Sequence, residues 1–126
     1  MQKTIALLSL LILLSMTGMA QKKNEKVLQH VVLFKFKADA KPEDVKKVET
    51  AFKALKDQIK EIKAFEWGTN NSPENLNEGY THCFLVSFSS EKDREIYLPH
   101  PKHKEFVAMI GPYLEKALVV DYWRSR

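Results

Sequence analysis

The sequence is poor in the residues that cross-link a small protein. Among its 126 residues there is one cysteine, Cys83. A single thiol excludes an intramolecular disulfide, so the stability of the fold must come from a hydrophobic core and a partner subunit. The chain also lacks internal repeats and low-complexity segments. It is therefore interpreted as one ordinary globular domain.

A long hydrophobic run is missing as well. Lys3 gives a positive start, Ile5 to Leu14 is almost entirely apolar, and Gly18 to Ala20 supplies small residues. A membrane-spanning helix needs about 20 predominantly apolar residues, which this stretch does not reach. The pattern predicts a secretory signal peptide over residues 1–20, cleaved after Ala20.

The predicted cleavage point fixes the domain boundaries and the expected compartment. The residue directly after the cleavage point is Gln21 and not the cysteine on which a bacterial lipoprotein anchor is built, so no stable membrane anchor is expected. Residues 21–26 are polar and basic and are interpreted as a flexible leader, and residues 27–126 as the domain. We expect a periplasmic or secreted protein.

A basic cluster is also missing. The formal net charge is +4, but most lysines alternate with glutamate and aspartate along the chain. Nucleic-acid binding usually requires basic residues gathered on one face. We therefore predict a solvated mixed-charge surface and no nucleic-acid partner.

Four segments carry the signals of β-strands. Apolar residues occupy alternate positions in Val27–Lys37 and in Tyr80–Phe88, and shorter strands are predicted at Ala64–Trp67 and Leu118–Trp123. The first strand is apolar on both faces, as a central strand requires.

Two helical regions separate the strands. The first begins at Pro42 and continues in an apolar stripe at helical spacing: Val45, Val48, Phe52, Leu55, Ile59 and Ile62. The second begins at Ser90, is interrupted by Pro99 and Pro101, and ends at Gly111. A further helical turn is predicted over Leu114–Leu118.

The order strand, helix, strand, strand, broken helix, strand predicts an α+β fold. It is the ferredoxin-like split βαβ arrangement, a four-stranded antiparallel sheet with helices on one face. The other face of the sheet stays uncovered although it is apolar. Two such faces packed together would give a homodimer, a dimeric α+β barrel.

Short motifs spread over nearly the whole domain resemble one known family. They are His30–Lys37 in the first strand, Gly68 with Asn70 and Ser72 in the loop, Tyr80–His82, Phe88–Ser90, Tyr97 followed by His100, Pro101 and His103, and Val120–Tyr122. This set is similar to the stress-responsive A/B-barrel domain, often abbreviated Dabb.

The resemblance implies a homodimeric barrel but does not fix a function. The family includes stress-linked plant proteins and a plant polyketide cyclase that closes a linear tetraketide by an aldol condensation. By motif, Tyr97 and His103 match the catalytic tyrosine and histidine of that cyclase, and His30 and His82 match two further histidines. The chain departs from the pattern at Pro99, Lys102 and Lys104, and the two lysines could close or charge an entrance.

Each candidate site residue has a second interpretation. Tyr97 and His103 are candidate catalytic residues, and His30, His82 and His100 are candidate ligand-binding residues. The topology brings all of them except His82 to one end of the sheet. His82 fits a buried, hydrogen-bonded side chain at the other end, Tyr97 could be core packing, and His100 and His103 could be ordinary residues of a proline turn.

Metal and cofactor sites receive no support from the pattern. His100 and His103 lie three residues apart, but no Asp or Cys clusters with them. Cys83 follows His82 on a strand and points to the opposite face, as a structural cysteine would. We predict no metal, no cofactor and no cysteine nucleophile.

Three functions remain open. The first is an exported homodimer, with a stress-related role implied by the family, that binds a small, largely apolar molecule between sheet and helices. The second is a cofactor-independent, lyase- or cyclase-like enzyme in which Tyr97 holds a carbonyl or enolate oxygen and His103 moves a proton. The third is a structural stress protein without a ligand.

Overall fold

The structure is a computed structural model that describes residues 25–124. The predicted signal peptide, residues 1–20, and most of the predicted leader, residues 21–24, lie outside this range. The elements are, in chain order, β1 (Leu28–Phe36), α1 (Pro42–Gln58), β2 (Ala64–Thr69), β3 (His82–Phe88), α2 (Glu91–Tyr97), α3 (Pro101–Ile110) and β4 (Leu114–Trp123).

The four strands form one antiparallel sheet in the order β2-β3-β1-β4. The central strand β1 pairs with both β3 and β4, which explains why its residues are apolar on both faces. Its register places His30 opposite Val86 on one side and Asp121 on the other. Phe34 lies opposite His82 and Ala117, four residues further along the sheet.

The helices pack on one face of the sheet, where the core lies. Phe34 and Phe84 from the sheet meet Phe52 of α1 and Phe106 of α3, with Phe52 only 4.5 Å from Phe84 and 4.6 Å from Phe106 between ring centroids. All four rings are buried. Aromatic rings bury large apolar areas and interlock, so this cluster fixes both helices against the sheet.

Helix α1 is shorter than the apolar stripe that predicts it. It begins at Pro42 with two acidic residues in its first turn, and Phe52 and Leu55 are buried beneath it. It ends at Gln58, because Ile59 adopts an extended backbone while its N–H still bonds to the Leu55 carbonyl. Ile59 and Ile62 are buried in the link to β2 and complete the stripe outside the helix.

The second helical region is broken as predicted. Ser90 caps α2, and its hydroxyl accepts a hydrogen bond of 3.1 Å from the Asp93 backbone N–H. Pro101 opens α3 at a position where its missing N–H costs nothing. The linker between the two helices therefore consists of Leu98 to His100.

Two strand boundaries differ from the sequence prediction. The helical turn predicted over Leu114–Leu118 is wrong, since this segment is the first half of β4 and pairs with Phe36 through Leu33 of β1, with a register shift at Lys35 and Phe36. Strand β2 also continues past Gly68 to Thr69, because both residues still pair with β3. In each case pairing with a neighbouring strand overrides the local signal.

The second face of the sheet carries apolar side chains and no helix of residues 25–124 covers it. We call it the open face, defined by Val31, Leu33, Cys83, Leu85, Leu118, Val120 and Tyr122. Leu118, Val120 and Tyr122 are 43%, 53% and 47% exposed. Large contiguous apolar surfaces usually mark sites of interaction.

None of the helices formed by residues 25–124 has the length and apolar character that crossing a membrane requires.

Candidate functional site

A cavity of about 620 Å³ lies between the helix-covered face of the sheet and the broken helix. One wall comes from β1 and β4, and the other from α2, the linker and α3. Its sides are largely apolar and include Phe34, Phe52 and Phe106 of the aromatic cluster. The rim residues Leu98, Val107 and Val119 are half exposed, so the cavity opens to solvent beside β4.

The polar end of the cavity is built from three side chains on three elements. Tyr97 from the end of α2, His103 from α3 and His30 from β1 all line it. The Tyr97 ring centroid lies 4.3 Å from that of His103 and 5.9 Å from that of His30. Tyr97 thus packs against both imidazoles.

The hydroxyl of Tyr97 is an unpaired donor. The side chain is fully buried, and its oxygen finds no hydrogen-bond partner within residues 25–124. Burial raises the pKa of the phenol well above its usual range, so the group keeps its proton. Leaving a buried hydroxyl unpaired costs about 1 to 3 kcal/mol, which marks it as a group available to a ligand.

His103 is held as a neutral base. Its Nδ1 lies 2.9 Å from the Leu98 carbonyl oxygen, and a carbonyl only accepts, so Nδ1 carries the proton and Nε2 presents a lone pair. Burial lowers the pKa of His103 below 6.5, and the Leu98 bond opposes this in part. Nearby His30 and His100 lower the pKa further. At neutral pH the imidazole is uncharged.

The break in the helix makes the His103 contact available. In a continuous helix the Leu98 carbonyl would accept from the N–H of Lys102. Here that N–H instead donates to Nδ1 of His100, at 3.1 Å. The free carbonyl then binds His103.

His30 is oriented by two charged residues that the sequence alone did not assign to the site. Its Nδ1 lies 2.7 Å from Asp121 Oδ1, and Arg94 donates to Asp121 Oδ2 at 2.7 Å. Because a carboxylate only accepts, Nδ1 of His30 carries a proton, as Nδ1 of His103 does. Two features could have identified these residues. The pairing of β1 with β4 brings Asp121 to His30, and the three-residue spacing puts Arg94 and Tyr97 on one side of α2.

The other two candidate histidines do not line this cavity. His100 caps α3 beside it. His82 lies at the opposite end of the sheet, where both its ring nitrogens are engaged, Nε2 at 2.8 Å from Glu49 Oε1 and Nδ1 at 2.8 Å from Thr81 Oγ1. It joins α1 to β3 and stacks on Trp67. These contacts are those of a structural residue.

The remaining polar candidates lie away from the polar end. Cys83 is on the open face, where burial and the neighbouring Glu66 raise the pKa of its thiol and keep it protonated. Lys102 pairs with Glu105 at 3.1 Å, and neither Lys102 nor Lys104 lines the cavity. Over residues 25–124, no three His, Cys, Asp or Glu side chains group closely enough to hold a metal ion.

With the geometry in place, comparison with known proteins identifies the family. The model of the "Stress responsive A/B Barrel Domain", abbreviated Dabb, matches residues 28–124. The chain belongs to this family. The resemblance drawn from the sequence motifs and the predicted ferredoxin-like α+β fold are both confirmed.

Proteins similar to this chain come from plants and from a bacterium. The stress-response A/B barrel domain-containing protein HS1 of Arabidopsis thaliana is 39% identical over 95 residues, which cover 75% of this chain and 87% of the relative. Olivetolic acid cyclase of Cannabis sativa is 30% identical, covering 75% and 94%. A solved dimeric protein of unknown function from Bacteroides fragilis has a ferredoxin-like fold, 28% identity, coverage of 76% and 94%, and a TM-score of 0.62.

The unpaired hydroxyl generates a stability prediction. Tyr97→Phe removes a buried donor without changing the packing of the ring, so we expect the free energy of unfolding of the unliganded protein to rise by about 1 kcal/mol. Urea denaturation measures this. Tyr113→Phe is the control, because its hydroxyl is not a buried unpaired group. A loss of stability in Tyr97→Phe would mean that the hydroxyl has a partner.

Proposed function

We propose that this Dabb protein binds a small, largely apolar molecule in the cavity at Tyr97. The observation that carries the proposal is Tyr97, a residue that lines an apolar cavity and whose buried hydroxyl lacks a partner within the described residues. Ligand sites typically combine apolar walls with a few convergent polar groups that fix orientation. A purely structural role requires neither the cavity nor the unpaired donor.

The polar end supports a ligand with one or two oxygen atoms. Tyr97 offers a donor, the neutral His103 offers an acceptor at Nε2, and His30 adds a second imidazole to the same end. A carbonyl oxygen satisfies the tyrosine, and a hydroxyl group satisfies both the tyrosine and an imidazole. The family and its relative HS1 are named for stress responses, which supports a stress-related role.

A matched ligand panel tests this. Small ketones, alcohols and phenols are each compared with the hydrocarbon of the same shape, by calorimetric titration of wild type and Tyr97→Phe. We expect the substitution to lower the affinity for the oxygenated compounds about tenfold, which corresponds to the loss of one hydrogen bond, and to leave the affinity for the hydrocarbons unchanged. Binding of no compound, or equal losses in both classes, would argue against this site.

A second function is supported by the protonation states. His103 combines a free Nε2 with a lowered pKa, and Tyr97 keeps its proton, so the pair has a base and a donor side by side. Such a pair can remove a proton next to a carbonyl while stabilising the enolate oxygen. The related cyclase from Cannabis sativa adds support for chemistry of this general kind.

Deuterium exchange measures that activity directly. The α-protons of a bound ketone are followed by NMR in D₂O, and we expect the exchange rate to rise with pH through a midpoint below 6.5, as His103 loses its proton. His103→Ala should lower the rate by about 10² to 10⁴. A rate that survives both His103→Ala and Tyr97→Phe would remove these roles.

We also propose that the protein is a homodimer formed through the open face. Leu118, Val120 and Tyr122 leave apolar surface in water that a second copy would bury. The solved relative from Bacteroides fragilis is dimeric and has the same fold class. A closed two-fold pairing uses the same patch on both chains, which suits one uncovered sheet face per chain.

Export completes the proposal. The positive, apolar and small-residue segments within residues 1–20 support removal of a signal peptide. N-terminal sequencing of the protein recovered from the periplasm or medium should begin at Gln21. A mature protein that still begins at Met1 would contradict this.

A further inference from the structure

The loop between β2 and β3 displays a leucine in water. Leu76 is 76% exposed, the highest value among the large apolar side chains of the described residues. We propose that residues 70–81 form an arm that docks on a second copy of this chain, with Leu76 as its apolar contact. This inference rests on the proposed homodimer and adds to it a surface outside the sheet.

The arm is tied to the sheet at both ends. The Asn70 N–H donates to the Thr81 carbonyl at 2.8 Å, and the Thr81 N–H donates to the Phe34 carbonyl at 3.0 Å. Within the arm, the Asn77 side-chain amide donates to the Tyr80 carbonyl at 2.9 Å, and the Tyr80 N–H returns a bond of 2.8 Å to the Asn77 carbonyl. The position of Leu76 is therefore fixed by its neighbours.

The backbone around Leu76 is also strained. Glu78 has φ of 48°, in the left-handed region that most side chains disfavour, and Asn75 has φ of 58°, which asparagine adopts more readily. Gly79 has φ of 83°, and a Cβ there would lie 2.7 Å from the Cε of Lys35. Strain of this kind persists only where the surroundings enforce it, and it collects at functional segments.

The arm continues the open face. Leu76 lines one groove of about 460 Å³ together with Leu33 and Leu118, both of which belong to that face. An isologous interface brings the same patch of each chain against the other, so a partner seated on the open face meets Leu76 as well. A second copy of the chain is therefore the occupant that both surfaces share.

The charges beside the groove favour a protein copy over an anionic lipid surface. Lys35 is paired with Glu115 at 3.3 Å, and Glu78 also lines the groove. A lipid-binding surface would instead carry an excess of lysine and arginine.

Sedimentation equilibrium on the full chain tests the arm. Wild type is compared with Leu76→Ala and with the control Ile96→Ala, which removes a 38% exposed apolar side chain from α2 on the helix side. Because two symmetric contacts are lost, we expect Leu76→Ala to raise the dimer dissociation constant on the order of 100-fold. Ile96→Ala should change it by less than about twofold.

A second variant reports on the position of the arm. Gly79→Ala places a side chain on a backbone with φ of 83°, which L-residues rarely adopt, so the arm must shift even if the flexible Lys35 side chain moves aside. It should weaken the dimer while the far-UV circular dichroism stays that of wild type. A wild type that is monomeric at every concentration overturns the homodimer and the arm together. A dimeric wild type with an unchanged constant in Leu76→Ala, or equal losses in Leu76→Ala and Ile96→Ala, overturns the arm alone and leaves the homodimer standing.

Discussion

The pairing of β1 on both sides is the constraint on which the other features depend. Because β1 is central, its side chains face the helices and the open face in turn, and both sets are apolar. The same pairing sets Asp121 beside His30, since a shift of the register by one residue would send the carboxylate to the opposite face. The core, the open face and the polar end of the cavity thus share one cause.

The polar end owes its chemistry to acceptors that lie behind the imidazoles. A carboxylate accepts from Nδ1 of His30 and a backbone carbonyl accepts from Nδ1 of His103, so both rings are oriented through the same nitrogen. The two supports differ in character, because Asp121 carries a charge that Arg94 balances, whereas the Leu98 carbonyl is neutral. Burial therefore keeps His103 uncharged without an ion pair to counter it.

Much of the fold was predictable from the sequence, because hydrophobic periodicity and the proline break report on local structure. Periodicity located β1, α1 and β3, and the motif around Tyr97 and His103 indicated where a site would form. The roles of Asp121 and Arg94 could not be predicted from the sequence, because they depend on strand register and on the rotation of α2. The start of β4 was mispredicted for the same reason, since its first residues are held by pairing with β1.

The interrupted helix has a consequence for how the His103 imidazole is held. The Leu98 carbonyl is available to His103 only because the backbone bonding pattern lapses between α2 and α3. In a variant with a continuous helix, the Lys102 N–H would donate to the Leu98 carbonyl, and the His103 imidazole would be free to rotate or change tautomer. The geometry of the linker backbone therefore sets the orientation of His103, independently of the side chains that line the pocket.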